Sequence, residues 1–258
     1  KKMAFFERLR DEAPVHYCKD SEYGPYWSVT RYKDIMEIDG NWQDFSSEPA
    51  ITILEPEEDF PLPMFIAMDP PVHDEQRKTV QGSVAPANLK LMEETIRSRT
   101  QRVLDDLPIG EQFDWVDRVS IELTTQMLAT LFDFPFEDRR KLTRWSDVAT
   151  GDEESGIVES EEARQAELYE CLEYFTRLWH EREEQGERND LVSMLAQGDA
   201  TKNMTPQEYL GNLILLIVGG NDTTRNSMTG GVWALNQNPG EYAKLRNNPG
   251  VIPNMVSE

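Results

Sequence analysis

Six consecutive residues in the last fifth of this sequence, Gly219-Gly220-Asn221-Asp222-Thr223-Thr224, combine types that a helix tolerates poorly. They directly follow an apolar run, Leu213-Ile214-Leu215-Leu216-Ile217-Val218, inside a stretch with no proline between Pro206 and Pro239. Two glycines within a helix cost about 1 kcal/mol each relative to alanine. The β-branched threonines add a little, and an ionisable Asp222 in a buried stretch costs more unless it is paired or solvated. Local violations gathered in one place tend to mark functional sites. Glycine bares the backbone to a flat or bulky ligand. Thr223, four residues after Gly219, can bond the Gly219 carbonyl and loosen the helical ladder. A hydroxyl next to a carboxyl suits holding a small polar molecule and passing protons to it. A second explanation stays open: Gly-Gly admits a closely packed neighbouring helix, and the threonines merely back-bond. Taken alone, the motif favours packing.

A second group with chemical potential is Asp69-Pro70-Pro71-Val72-His73-Asp74-Glu75-Gln76-Arg77. Asp69 reads as an N-cap and Pro70 as a first-turn proline. His73 and Arg77 then lie four apart on one helix face and could clamp a carboxylate, the guanidinium bidentately. The alternative is a surface patch in which both pair with Asp69, Asp74 or Glu75. The remaining histidines, His16 in a strand and His180 in a charged helix, have no partner at metal spacing. Cys18 and Cys171 have no companion motif and read as inert. There is no phosphate-binding glycine loop, no Gly-x-Ser-x-Gly elbow and no Cys-x-x-Cys.

The elements that must position these groups are mostly helical. A helix-like pattern over 3–10 precedes two short β-like runs, Val15-His16-Tyr17-Cys18 and Tyr26-Trp27-Ser28-Val29-Thr30, which predict a hairpin. Residues 48–63 hold four prolines, an acidic cluster and the apolar residues Ile51, Ile53, Leu54, Phe60 and Leu62. A loop this long is usually functional or mobile, and its apolar content suggests a wall around something. Helices are predicted from Pro70 and over about 87–107, 117–131, 136–149, 160–185 and 189–197, with 152–188 a solvated acidic face. Thr205-Pro206-Gln207-Glu208 is a capping box with proline at N1. It opens a helix over about 206–236, whose middle should be buried on all sides. The fold class is therefore mainly α with a small β part.

Composition narrows the function. In 258 residues, 26 basic and 48 acidic side chains give −22, split evenly at −11 per half. That argues against nucleic acid or an anionic membrane as the main partner, and suits a cytoplasmic protein. The longest apolar run is six residues, far short of a span of about 20. Two cysteines are too few for a disulfide framework.

Asp-Pro-Pro-x-His-x-x-x-Arg early in the chain, with Gly-Gly-Asn-Asp-Thr-Thr in a long helix about 150 positions later, resembles the cytochrome P450 family, in the order and separation of its C and I helices. Trp42-Gln43-Asp44-Phe45-Ser46-Ser47 and Asn189-Asp190-Leu191-Val192-Ser193-Met194-Leu195 fit as well. Residues 68–77, 84–89 and 219–228 look like the soluble bacterial alkane-hydroxylating members, apart from Val84 where many members have Phe. The resemblance covers the whole chain and implies a single P450-like domain: a hairpin at 15–30, a variable substrate loop at 48–68, a C helix from about 70 and an I helix at about 206–236. It implies haem b as cofactor, with His73 and Arg77 on the propionates and Gly219, Gly220 and Thr223 against the distal face. Thr223 would hydrogen-bond the oxygen species and Asp222 would relay protons. Ile66, Leu215 and Val218, within a wall running from Ile51 to Ile66, would contact substrate. Dioxygen, an apolar small molecule, a ferredoxin and its reductase would be the partners.

The family's cysteine ligand lies in a loop far downstream of the I helix, where neither Cys18 nor Cys171 stands, and its Glu-x-x-Arg pair would begin at about Glu258. The sequence is therefore expected to be an internal fragment, truncated at both ends, with no metal ligand of its own and inactive when made alone. The whole protein is expected to be a monooxygenase hydroxylating the terminal carbon of medium-chain alkanes or fatty acids. Terpene or aromatic substrates are the alternative, and a non-catalytic helical interaction module is the alternative of another class.

Overall fold

The computed structural model describes residues 2–53, 60–151, 155–186 and 188–257. Helix α1 (Lys2–Glu12) leads into the antiparallel pair β1 (Val15–Cys18) and β2 (Tyr26–Val29), with Val15 opposite Val29 and Cys18 opposite Tyr26. This is the predicted hairpin and the only sheet among the described residues. Gly24, at φ 76°, supplies the left-handed turn between the strands. Then follow α2 (Tyr32–Asp39), α3 (Val72–Val80), α4 (Pro86–Asp105), α5 (Glu122–Leu131), α6 (Arg140–Thr150), α7 (Glu161–Glu183), α8 (Leu191–Gln197), α9 (Pro206–Gln237), α10 (Pro239–Asn247) and α11 (Ile252–Ser257). The predicted helix over 117–131 begins as a π-helical turn, Val116–Ile121, before α5. The one over 136–149 opens with a 3-10 turn, Phe136–Asp138, before α6.

The long helix α9 starts where the capping box places it. The Thr205 hydroxyl accepts from the Glu208 N–H at 3.3 Å, and the Glu208 carboxylate accepts from the Thr205 N–H at 2.8 Å. At 1.5 Å per residue it runs about 48 Å. It packs against α5, α6, α7 and the π-helical turn. The core so formed includes Leu128, Phe132, Leu142, Trp145, Val148, Leu168, Phe175, Leu195, Leu210, Leu213 and Ile217, all buried. Burial all round the middle of α9, expected from its apolar run, does not hold. Ile214 and Ile217 are buried, Leu215, Leu216 and Val218 only partly, and Gly219, Thr223 and Thr224 are exposed. The packed helices cover one flank, while on the other a Cβ built on Gly219 would meet no described residue within 4 Å.

The start of α3 also differs from expectation. The Asp69 carboxylate does not cap it. Asp69 accepts from the Ser46 hydroxyl at 2.6 Å and the Ser47 N–H at 3.0 Å, so it fastens the 46–47 turn instead. These two donors, Ser46 first, hold its carboxyl below the usual value. The Asp69 carbonyl still accepts the His73 N–H at 3.1 Å, and the regular helix begins at Val72 with Pro71 as an N-cap that offers no side-chain bond. The acidic stretch 152–188 is solvated on one side only. Glu167 and Glu170 of α7 pair across to Arg144 (2.7 Å) and Lys141 (2.6 Å) of α6, while Leu168, Cys171 and Phe175 face the core. The loop's acidic cluster, Glu55, Glu57, Glu58 and Asp59, and Leu54 with it, lie outside the described residues. No helix among the described residues is long and apolar enough to cross a membrane.

Candidate haem-facing site

Helical geometry first separates the two central glycines. Successive helical residues turn by about 100°, so Gly219 and Gly220 look in different directions. A Cβ built on Gly220 would come 2.6 Å from Leu128 Cδ2 on α5. Gly220 therefore serves close helix packing, not a ligand face, and its expected placement against the cofactor is corrected: Leu128 occupies that side. A Cβ on Gly219 would meet nothing within 4 Å. The backbone at Gly219 is bare and open. The Thr223 hydroxyl donates to the Gly219 carbonyl at 2.8 Å, as its spacing predicts. Close helix packing accounts for Gly220, and the backbone at Gly219 stays open beside a back-bonded threonine.

Asp222 is turned toward α6. It forms an ion pair with Arg225, which also donates to Asp147 Oδ1 at 3.0 Å. Burial works against the Arg225 charge, but Asp147 and Asp222 outweigh it and raise its pKa. The costly ionisable residue is therefore paired, and in this arrangement its carboxylate is engaged by a guanidinium instead of lying free beside the Thr223 hydroxyl. Asn221 points into the core. Its Oδ1 accepts from the Thr124 hydroxyl at 2.9 Å, and its Nδ2 is buried with no partner among the described residues.

The second group is tied to the same helix by a residue that the sequence reading passed over. Asn212 Oδ1 accepts the Phe65 N–H at 2.9 Å, and Asn212 Nδ2 lies 3.4 Å from Gln76 Oε1 of α3. The Phe65 carbonyl in turn faces His73 Nδ1 at 2.9 Å. Gly211, beside Asn212, lets the loop press on the helix: a Cβ there would lie 2.1 Å from the Pro63 carbonyl oxygen. A buried amide in a run of Leu and Ile was the available sequence signal, because such a group persists only when hydrogen-bonded.

Asn212, Gly219 and Thr223 are seven and eleven positions apart, within about 20° of one face. The His73-bearing helix is thus joined to the face of α9 that, two turns on, exposes Gly219. Ile66 stands in the 3-10 turn Phe65–Ala67 held by Asn212 and is partly exposed. Leu215 and Val218, at steps of three from Asn212, are half-buried against the core. They lie about 60° and 120° round the helix from Asn212, and Ile51 and Ile53 are exposed.

The residues present fit a flat, dicarboxylated macrocycle on one face. Gly219 offers open backbone, and Arg77 is an exposed cation with no ion pair among the described residues. A His73 ring that gives its Nδ1 proton to the Phe65 carbonyl keeps Nε2 for a second partner, and it donates there only as the imidazolium. Neither cysteine fits the iron. Cys18 lies in the hairpin with Sγ 3.8 Å from the Asp20 carbonyl oxygen. Cys171 is buried in the core, where desolvation, then Glu170, pushes its thiol well up. Among the described residues no cluster of His, Cys, Asp and Glu could hold a metal ion.

No family model matches the chain. It is 29% identical to the linalool 8-monooxygenase of Pseudomonas putida, over 98% of this chain and 65% of that protein. Two solved structures share its fold closely. Cytochrome P450-153 from Novosphingobium aromaticivorans matches with a TM-score of 0.85 and 45% identity, over 99% of this chain and 65% of that one. CYP153D17 from Sphingomonas sp. PAMC 26605 matches with a TM-score of 0.86 and 48% identity, over 98% and 64%. The chain spans just under two thirds of the length of each.

Proposed function

This chain belongs to the cytochrome P450 family, and from that premise we propose that the whole protein is a haem b monooxygenase. Its substrate is an apolar small molecule, with the terminal carbon of medium-chain alkanes or fatty acids as first choice. When bound, haem supplies the oxygen chemistry and the electron path. The residues of this chain supply position and protons. His73 and Arg77 hold the two carboxylates at one rim. Gly219 keeps the helix bare where a planar ring lies against it. The Thr223 hydroxyl, resting on the Gly219 carbonyl, can turn to hold a small polar molecule there. Asp222, once released from Arg225, would take a proton from solvent water and pass it toward that molecule. Ile66, Leu215 and Val218 exclude water and take the apolar substrate. A ferredoxin and its reductase deliver electrons.

The observation that carries this reading is the shared face of α9, on which Asn212 anchors the His73 helix and Gly219 stands open two turns away. The test is spectroscopic. The full-length protein should bind one haem saturably, and its reduced carbon monoxide complex should show the red-shifted Soret band of thiolate ligation. Octane should drive a low-to-high-spin shift. Absence of saturable haem binding would leave only a helical interaction module. Haem binding without a shift by any linear alkane would remove the alkane assignment. Terpenes are the second reading, supported by the relative that acts on linalool, and the same titration with linalool distinguishes them.

A further inference from the structure

Four guanidiniums, those of Arg102, Arg118, Arg139 and Arg140, line a cleft of about 320 Å³ between α4, the π-helical turn, α5 and α6. In a chain at −22 this is a local reversal of sign. Two of the four are neutralised. Glu122 accepts from Arg139 at 2.9 Å and from Arg140 at 2.9 Å, and Arg140 also reaches Asp117 at 2.9 Å. The other two are not. Arg118 donates to the Asp106 backbone carbonyl at 3.1 Å and makes no ion pair among the described residues. Arg102 has neither a side-chain hydrogen bond nor an ion pair among them. Arg99, one turn earlier on α4, lies outside the lining of the cleft. It bonds the Gln126 carbonyl at 2.5 Å and the Thr130 hydroxyl. Burial, then the Arg102 charge, holds its guanidinium below the ordinary value. Among the residues that line the cleft, four arginines stand against Glu122 and Asp106, which leaves a surplus of two positive charges.

We propose that this cleft is a binding site for a phosphate group, seated on Arg102 and Arg118 and separate from the haem-facing side of α9. Guanidinium forks match the oxygens of a phosphate and bind it bidentately. A dianion answers the surplus of two charges, whereas a single carboxylate leaves one cation unpaired. Glu122 keeps Arg139 and Arg140 upright at the back of the cleft, so no side chain has to leave an existing partner. The volume lies at the small end of ligand sites, about 300–1,000 Å³, enough for a diphosphate or a sugar phosphate. The outer face of α5 carries Glu122 and Gln126, while its inner face carries Thr124 and Leu128 toward α9. The two sites thus lie on opposite sides of one helix.

The experiment is isothermal titration of the full-length haem-loaded protein with sodium phosphate, sodium diphosphate and ribose 5-phosphate in separate arms. Saturable binding that weakens with added salt is expected. Tighter binding of ribose 5-phosphate than of phosphate identifies a phosphorylated organic ligand, and the reverse order identifies the free anion. Arg102→Gln and Arg118→Gln should each weaken binding about tenfold, the loss of one charge-assisted hydrogen bond. Both residues are exposed, so the fold survives, as unchanged circular dichroism would verify. Arg97→Gln on the same helix, paired with Glu93 at 3.2 Å, should change nothing. No saturable binding of any arm at millimolar concentration, binding unaltered in both cleft variants, or equal displacement by acetate overturns the proposal.

Discussion

The two central glycines of α9 give opposite answers to one methyl group. Gly219→Ala adds a Cβ that meets nothing within 4 Å. The substitution gains helix propensity of about 1 kcal/mol, which in a protein of this size raises Tm by about 2–4 °C. Gly220→Ala gains the same propensity but places its Cβ 2.6 Å from Leu128 Cδ2. Leu128 is 2% exposed, so it has no free space to retreat into, and overpacking of this kind costs about 1–3 kcal/mol. The net for Gly220→Ala is a loss of about 0–2 kcal/mol. Haem reverses the ranking for Gly219. If a planar ring lies on the open backbone there, the added methyl stands in its place, and haem affinity should fall at least about tenfold, or 1.4 kcal/mol. Gly220→Ala, facing Leu128, should bind haem with near-normal affinity once folded. Urea denaturation of the apoprotein and haem titration by Soret absorbance measure the two quantities on the same variants. Unchanged haem affinity in Gly219→Ala would falsify the placement of the cofactor on this face. Equal stability gains in both variants would refute the close approach of α9 to α5.

Asn212→Leu removes the acceptor of the Phe65 N–H and should destabilise the apoprotein by about 1–3 kcal/mol. It should also speed haem loss to a scavenger apoprotein, because the His73 rim loses its tie to α9. Thr223→Ala in the haem-loaded full-length protein should retain haem yet divert reduced nicotinamide into peroxide, read as the ratio of peroxide to product. Asp222→Asn should slow turnover without changing substrate affinity, and full retention of rate would remove its role as relay. Asp69 carries a lowered pKa in the fold, so its contribution is complete at neutral pH and is lost as pH falls through that lowered value, beneath the ordinary carboxylate range. Asp69→Asn should therefore flatten the acid limb of a stability-versus-pH curve, and an unchanged limb would show that the Ser46–Asp69 bond contributes nothing.

Local rules made much of this molecule readable. Thr205 and Glu208 announced the start of α9, and the turn residues around Gly24 announced the hairpin, because both depend on side chains only a few positions apart. The Thr223–Gly219 bond was legible for the same reason. What escaped depends on partners distant in sequence. Leu128 is 92 residues from Gly220, and nothing local says which of two adjacent glycines a neighbouring helix will occupy. Asp69 had the type and position of a cap, but Ser46 and Ser47 offered it two better donors. Arg225, only three residues from Asp222, is its local partner, but the second carboxylate that fixes that guanidinium, Asp147, lies 78 residues away. The one-sided exposure of α9 could not follow from its apolar run, since periodicity reports which residues are able to be buried and not which neighbours arrive to bury them.

The seat of Pro63 on Gly211, with the Phe65 amide moored to Asn212 beside it, decides where the next stretch of chain can lie. It is a fixed station on the chain. Residues 63 to 65 thereby take their register from the long helix, and the imidazole of His73, bonded to the Phe65 carbonyl, takes it from them in turn.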